Sequence, residues 1–132
     1  MDSIELRNRL KDFAIRIIKM VDSMPQTISS QAIARQIVRS GTSPSANYRA
    51  ALLGKSDKDF LNKLKMVEEE LDETLHWIEI IMETEMMEPR RLESLHNECR
   101  ELLKIIVSSV ITKRNNILAG NGILVNGMVI NE

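Results

Sequence analysis

One cysteine, Cys99, stands alone in 132 residues, so no disulfide can form within the chain. Aromatic residues make up only 3% of it: one tryptophan, one tyrosine and two phenylalanines. A β-sandwich core draws on rings and β-branched side chains, and this sequence offers few rings. There are three prolines and five glycines, and Gly120, Gly122 and Gly127 fall close to the C-terminus, so most of the chain is free of helix breakers. Long apolar runs are missing too. The strongest, Leu102 to Ile111, includes Lys104 and two serines and is about half a membrane span. Met1-Asp2-Ser3-Ile4-Glu5 has neither a basic start nor a continuous apolar stretch, so no secretory signal is expected. These absences predict a reducing, cytoplasmic setting and no membrane partner.

What is present is globular. Apolar residues account for 43% and charged residues for 28%, with eight methionines among the former. A core of Leu, Ile, Val and Met suits helix-on-helix packing, and the length suits one domain. The net charge of −1 conceals a segregation along the chain. Residues 1–65 carry twelve basic and six acidic side chains, whereas residues 66–101 carry three and twelve. Either the opposite faces of antiparallel helices neutralise one another, or the segregation marks a binding surface.

Apolar spacing predicts four helices. Leu6, Leu10, Phe13, Ile17, Met20 and Met24 step by three and four, giving a first helix over about 3–24 that ends at Pro25. The second, over 29–54, starts from a cap at Ser29 or Ser30 and ends at Gly54. Pro44 predicts a break or kink within it, where small neighbours let another backbone come close. The third, over 56–86, opens on a Ser56 cap with Asp57 and Asp59 in its first turn. Its stripe runs through Phe60, Leu64, Val67, Leu71, Leu75, Ile78 and Met82. The fourth spans 89–116, with Pro89 in its first turn and Leu92, Leu95, Cys99, Leu102, Ile106 and Val110 inward. Short connections then require an all-α, antiparallel up-down-up-down four-helix bundle with a kinked second helix. Residues 117–132 read as a short tail, and Asn126-Gly127 within Ile123–Ile130 is a two-residue hairpin sequence.

Chemistry-bearing constellations are sparse. His76 and His96 lie on different helices without a second His or Cys at metal-ligand spacing. Glu73 and His76 have the Glu-x-x-His spacing of di-iron bundles, as do Glu93 and His96, but the second helix has no glutamate to complete such a site. His76 also points nearly opposite the core stripe. Cys99 falls on an apolar face, where a thiol is inert. No catalytic residue, metal or cofactor is expected, nor a small-molecule substrate.

Surplus apolar surface is more informative. Lys63, Glu70 and Trp77 recur at heptad spacing beside the third helix's stripe, next to Met66, Glu73 and Ile80. The fourth helix is apolar nearly all round between Leu102 and Ile111. A single-chain bundle needs one apolar face per helix, so self-association is expected, with Met66, Trp77, Ile80, Ile105 and Ile111 at the interface. Against this stands a wide core face with a half-buried tryptophan. Arg35, Arg39 and Arg49 form a row on the second helix, open to RNA phosphates or to the acids of the third helix. Tyr48 is the one ring nearby for base stacking.

Three blocks are recognisable together: Arg39-Ser40-Gly41-Thr42-Ser43-Pro44-Ser45-Ala46-Asn47-Tyr48-Arg49, Lys55-Ser56-Asp57-Lys58-Asp59-Phe60-Leu61-Asn62-Lys63-Leu64, and Glu68-Glu69-Glu70-Leu71-Asp72-Glu73-Thr74-Leu75-His76-Trp77. Over about residues 5–115 the chain resembles the bacterial four-helix-bundle family that includes the 23S rRNA intervening-sequence proteins. That family is related to the accessory variability proteins of diversity-generating retroelements. The resemblance implies an antiparallel bundle, commonly a cyclic homopentamer, with no enzymatic activity to carry over. Its retroelement relatives bind nucleic acid and reverse transcriptase through a strongly basic surface, from which this chain departs with its net charge of −1. It also has Ala-Asn-Tyr-Arg where Ala-Asn-Ile-Ala-Glu-Gly is commoner. Asn47, Arg49, Lys63, Glu70 and Glu73 are then expected to form a structural polar network. In it Asn47 serves the backbone opened at Pro44, and Arg49 pairs with Glu70 or Glu73. The functional expectation is an oligomeric scaffold or adaptor; the alternatives are an RNA- or nucleoprotein-binding accessory factor and, third, a metalloprotein or enzyme.

Overall fold

The computed structural model describes residues 1–121. Four helices, α1 (Ser3–Asp22), α2 (Ile28–Leu52), α3 (Asp57–Glu83) and α4 (Glu93–Asn121), form an antiparallel up-down-up-down bundle, and a single 3₁₀ turn, Pro89–Leu92, leads into α4. Each helix packs on its chain neighbours, and α1 meets α4 along a slighter seam. The apolar stripes converge on one core, in which Leu10, Ile17, Ile37, Leu64, Leu71, Ile78, Leu102 and Ile106 have no exposed surface. At about 1.5–3 kcal/mol for each fully buried side chain, this core is the main source of stability.

The ends of the helices follow capping chemistry, with differences from the sequence expectation. Asp2 caps α1 by accepting from the Glu5 N–H at 2.8 Å. That helix stops at Asp22 and not Met24, because Ser23 and Met24 turn back in 3₁₀ fashion onto the carbonyls of Met20 and Val21. Thr27, not Ser29 or Ser30, caps α2, accepting from Ser30 at 3.2 Å. Ser30 itself is buried, and its hydroxyl has no partner among the described residues. Ser56 caps α3 as its position predicts, accepting from Asp59 at 3.1 Å.

Pro44 does not break α2, which runs without interruption from Ile28 to Leu52. Proline removes one donor, to the Ser40 carbonyl, and sits in the buried face. The hydroxyls of Thr42 and Ser43 donate back to the carbonyls of Val38 and Arg39, at 2.6 and 2.7 Å. One turn before the proline, a Cβ at Gly41 would lie 2.8 Å from two carbons of Ile17. The bare glycine thus sets the approach of α2 to α1.

After α3 the chain makes a Schellman turn: Met86 N–H reaches the Ile81 carbonyl and Glu85 N–H the Met82 carbonyl, both at 3.1 Å. Its left-handed position is held by Glu85, at φ 54°, where glycine is the usual occupant. Pro89 opens the 3₁₀ turn, so α4 begins at Glu93; it continues to Asn121, well past 116, and takes in residues expected in the tail. The hairpin expected over 123–130 lies outside the described residues. None of the described helices is long and apolar enough to cross a membrane.

Candidate functional site

Two surfaces collect the residues singled out by sequence. The first is the polar seam between α2 and α3. Deepest in it, the Thr74 and Ser40 hydroxyls lie 2.9 Å apart with no solvent exposure, and Thr74 also lies 2.7 Å from the Glu70 carbonyl. The Thr74 hydroxyl thus donates to the Glu70 carbonyl and the Ser40 hydroxyl, and Ser40 in turn faces the Ile37 carbonyl at 3.5 Å. Toward the surface, Asn47 donates its side-chain amide to Glu70 at 2.6 Å. Arg39 pairs with Glu73, and the Trp77 indole N–H donates to the same carboxylate at 3.1 Å. Hydrogen bonding to the Arg39 guanidinium holds the Glu73 carboxyl below its ordinary range, and the same contact raises the Arg39 pKa.

This seam revises the expected network in three respects. Arg49 is exposed and pairs with neither Glu70 nor Glu73 among the described residues; Arg39 takes its place at Glu73. On an α-helix Arg39 and Arg49 are ten residues apart, about 80° round the axis, and only the first is turned toward α3. Asn47 serves Glu70 across the seam and not the backbone at Pro44. Lys63 is half-buried, with no ion pair among the described residues. Within the basic row, Arg39 is therefore engaged, while Arg35 and Arg49 are exposed.

The second surface is apolar. Leu103, Val107 and Ile111 on α4, with Leu75 on α3, line an open groove of ≈ 500 Å³ whose charged rim is Arg100 and Lys104. Ile111 is 51% exposed. The five residues expected at one interface are not brought together. Ile111 lies in this groove, whereas Ile105 falls one heptad from Glu98, on the flank of α4 that meets Arg9 of α1 at 2.5 Å. Met66, Trp77 and Ile80 share the outer α2-side flank of α3, within about 60° of one another at 100° per residue. Met66 is 42% exposed, and Trp77 and Ile80 are half-buried.

The titratable groups elsewhere are structural in their contacts. Cys99 is buried against the Leu71 carbonyl, and burial pushes its thiol up to about 12. His96 contacts Glu79 at 3.0 Å, and His76 packs its ring edge-on to Trp77 at 4.8 Å. Among the described residues no group of three or more His, Cys, Asp or Glu is placed to hold a metal ion. Sequence reasoning missed the Arg9–Glu98 pair, whose partners are 89 residues apart with no local signal. Ser40 and Thr74, by contrast, both stood inside the recognised motif blocks.

Those blocks lie along the α2–α3 seam, and residues 3–108 match the profile of the 23S rRNA-intervening sequence protein family. The chain belongs to that family. Among solved structures it is similar to a protein of unknown function from the S23 ribosomal protein family of Bacteroides thetaiotaomicron VPI-5482. The two share 32% identity over 84% of this chain and 99% of that one, with a TM-score of 0.78. No curated protein matches the chain. Ser40, Asn47, Glu70 and Thr74, all within the matched residues, are the polar fastening between α2 and α3.

Proposed function

We propose that this protein is a non-enzymatic, self-assembling scaffold or adaptor, built from several copies of the bundle, five by the resemblance described above. The observation that carries this reading is the apolar groove on α4, where Leu103, Val107 and Ile111 remain open to solvent after the core is complete. Apolar surface of this kind on a small bundle is stabilised by a second protein surface. Light scattering on the purified chain at micromolar concentration tests it. A mass several times that of one chain is the expected result, and a single-chain mass overturns the reading.

A second reading, RNA or nucleoprotein binding, is favoured by a separate observation: Arg35 and Arg49 are both exposed on the outer side of α2, and neither is engaged in an ion pair among the described residues. Binding by these two would be phosphate-directed and would weaken steeply with salt. Retention of RNA at low salt that Arg35→Ala with Arg49→Ala abolishes supports this reading; retention unchanged by the pair of substitutions removes it.

A further inference from the structure

The apolar stripe of the α4 groove continues toward the end of the helix. Leu103, Val107 and Ile111 step by four, and the half-buried Leu118 follows on the same face seven residues later. At 100° per residue these positions share a sector of about 80°, and that of Asn121, where α4 ends, falls in it too. The chain therefore leaves α4 on the groove side. Next in sequence is Gly122, the residue type at which a chain most readily turns back after a helix. Residues 123–130 then hold six apolar side chains and no charged one. We propose that the groove is taken by this chain's own residues 123–130, running back along α4, which thereby compete with a second copy for it. The competition rests on the self-association reading; the docking does not.

Length selects the groove. Leu103 and Leu118 are fifteen residues apart, about 22 Å along the helix. Eight extended residues reach about 26 Å, so the segment matches the stripe from end to end. A hairpin turning at Asn126-Gly127 would be half as long and would leave Leu103 uncovered. The same measure excludes the exposed pair Ile15 and Ile18 on α1. Arg16 donates to Ser94 at 2.9 Å, which sets that stretch of α1 level with a residue about 40 Å back from Asn121. All eleven residues 122–132, fully extended, reach about 36 Å. Exposed Met66 lies on the α2 side of α3, across that helix from the groove. The rim carries both signs, since Glu68 and Asp72 lie on the groove side of α3 and Lys104 pairs with Glu101 at 3.6 Å. An uncharged occupant suits such a rim, because it leaves each charge at the edge in water.

The test is cross-linking in the full-length chain, where the native Cys99 is buried and does not compete. Lys104, on the exposed rim, lies about 26 Å back from Asn121, the distance at which the returning segment places Ile130. Lys104→Cys with Ile130→Cys is therefore expected to form a disulfide within one chain under oxidised glutathione. Lys104→Cys with Leu124→Cys is expected to do so at least tenfold more slowly, because Leu124 then lies far beyond the ~7 Å between Cα atoms that a disulfide spans. Light scattering on the oxidised Lys104→Cys, Ile130→Cys protein is expected to give the mass of one chain, and reduction to restore the wild-type mass. Absence of the in-chain disulfide overturns the docking, as does equal cross-linking by the Leu124→Cys pair. A disulfide formed only between chains overturns it too, and assigns the groove to another copy's segment. An oxidised protein that keeps a multimeric wild-type mass overturns the competition. In all these cases a wild type larger than one chain leaves the self-association reading standing. A wild type of single-chain mass overturns that reading and the competition, while the in-chain disulfide still supports the docking.

Discussion

Asn47 and Glu70 meet across the α2–α3 seam with 2.6 Å between amide nitrogen and carboxylate oxygen. The bond is partly buried and charge-assisted, so it outweighs an ordinary exposed contact. Asn47→Ala is expected to cost about 1.5–3 kcal/mol, read as a lower urea midpoint with an unchanged slope. Asn47→Asp sets two carboxylates together and is expected to cost more than Asn47→Ala. A smaller loss for Asn47→Asp than for Asn47→Ala would contradict this account.

Gly41 lies where a Cβ would come within 2.8 Å of Ile17. Alanine has the better helix propensity by about 1 kcal/mol, yet the clash outweighs it, and Gly41→Ala is expected to destabilise by about 1–3 kcal/mol. The sign of the result is informative in itself. In a double-mutant cycle, Gly41→Ala with Ile17→Ala is expected to lose less than the sum of the single losses. Strict additivity would mean that Ile17 is not what the methyl meets.

Glu85 occupies a left-handed position at φ 54°. An L-residue with a Cβ costs about 1–2 kcal/mol there, and glycine returns part of that through a freer unfolded chain. Glu85→Gly is therefore expected to raise stability by about 1 kcal/mol, whereas glycine at an interior helical position lowers it. Thermal unfolding checks the direction, and a lower melting temperature would refute the turn assignment.

Glu73 has its pKa lowered in the folded state, chiefly by the Arg39 hydrogen bond. Such a group contributes stability above its unfolded pKa, and the contribution disappears as pH falls through the folded value. Acid titration of the wild type is expected to show this loss, and Arg39→Gln is expected to flatten that part of the stability curve. The groups are substantially exposed, so the effect is modest and decreases with salt.

The four helices were legible because their stripes are long. Leu6 to Met20 and Leu64 to Met82 repeat the helical period over many turns, and no other element buries such a stripe so completely. Helix ends were harder. Thr27 and Ser30 are three residues apart and share capping chemistry, so only the geometry of the chain entering α2 selects Thr27. Pro44 signalled a break or a kink by its missing donor, and α2, packed between α1 and α3, is continuous through it.

By itself, then, the order of residues determined the fold class, the inward faces and the family. These follow from periodicity and motif, which are local along the chain. Partners across the bundle were decided only by tertiary structure. Arg39 and not Arg49 reaches Glu73, and Met66, Trp77 and Ile80 lie apart from Ile111, because the angle of each helix about its own axis is set by packing against its neighbours. That angle leaves Met66, Trp77 and Ile80 on one flank of α3 and Ile111 in the groove on α4.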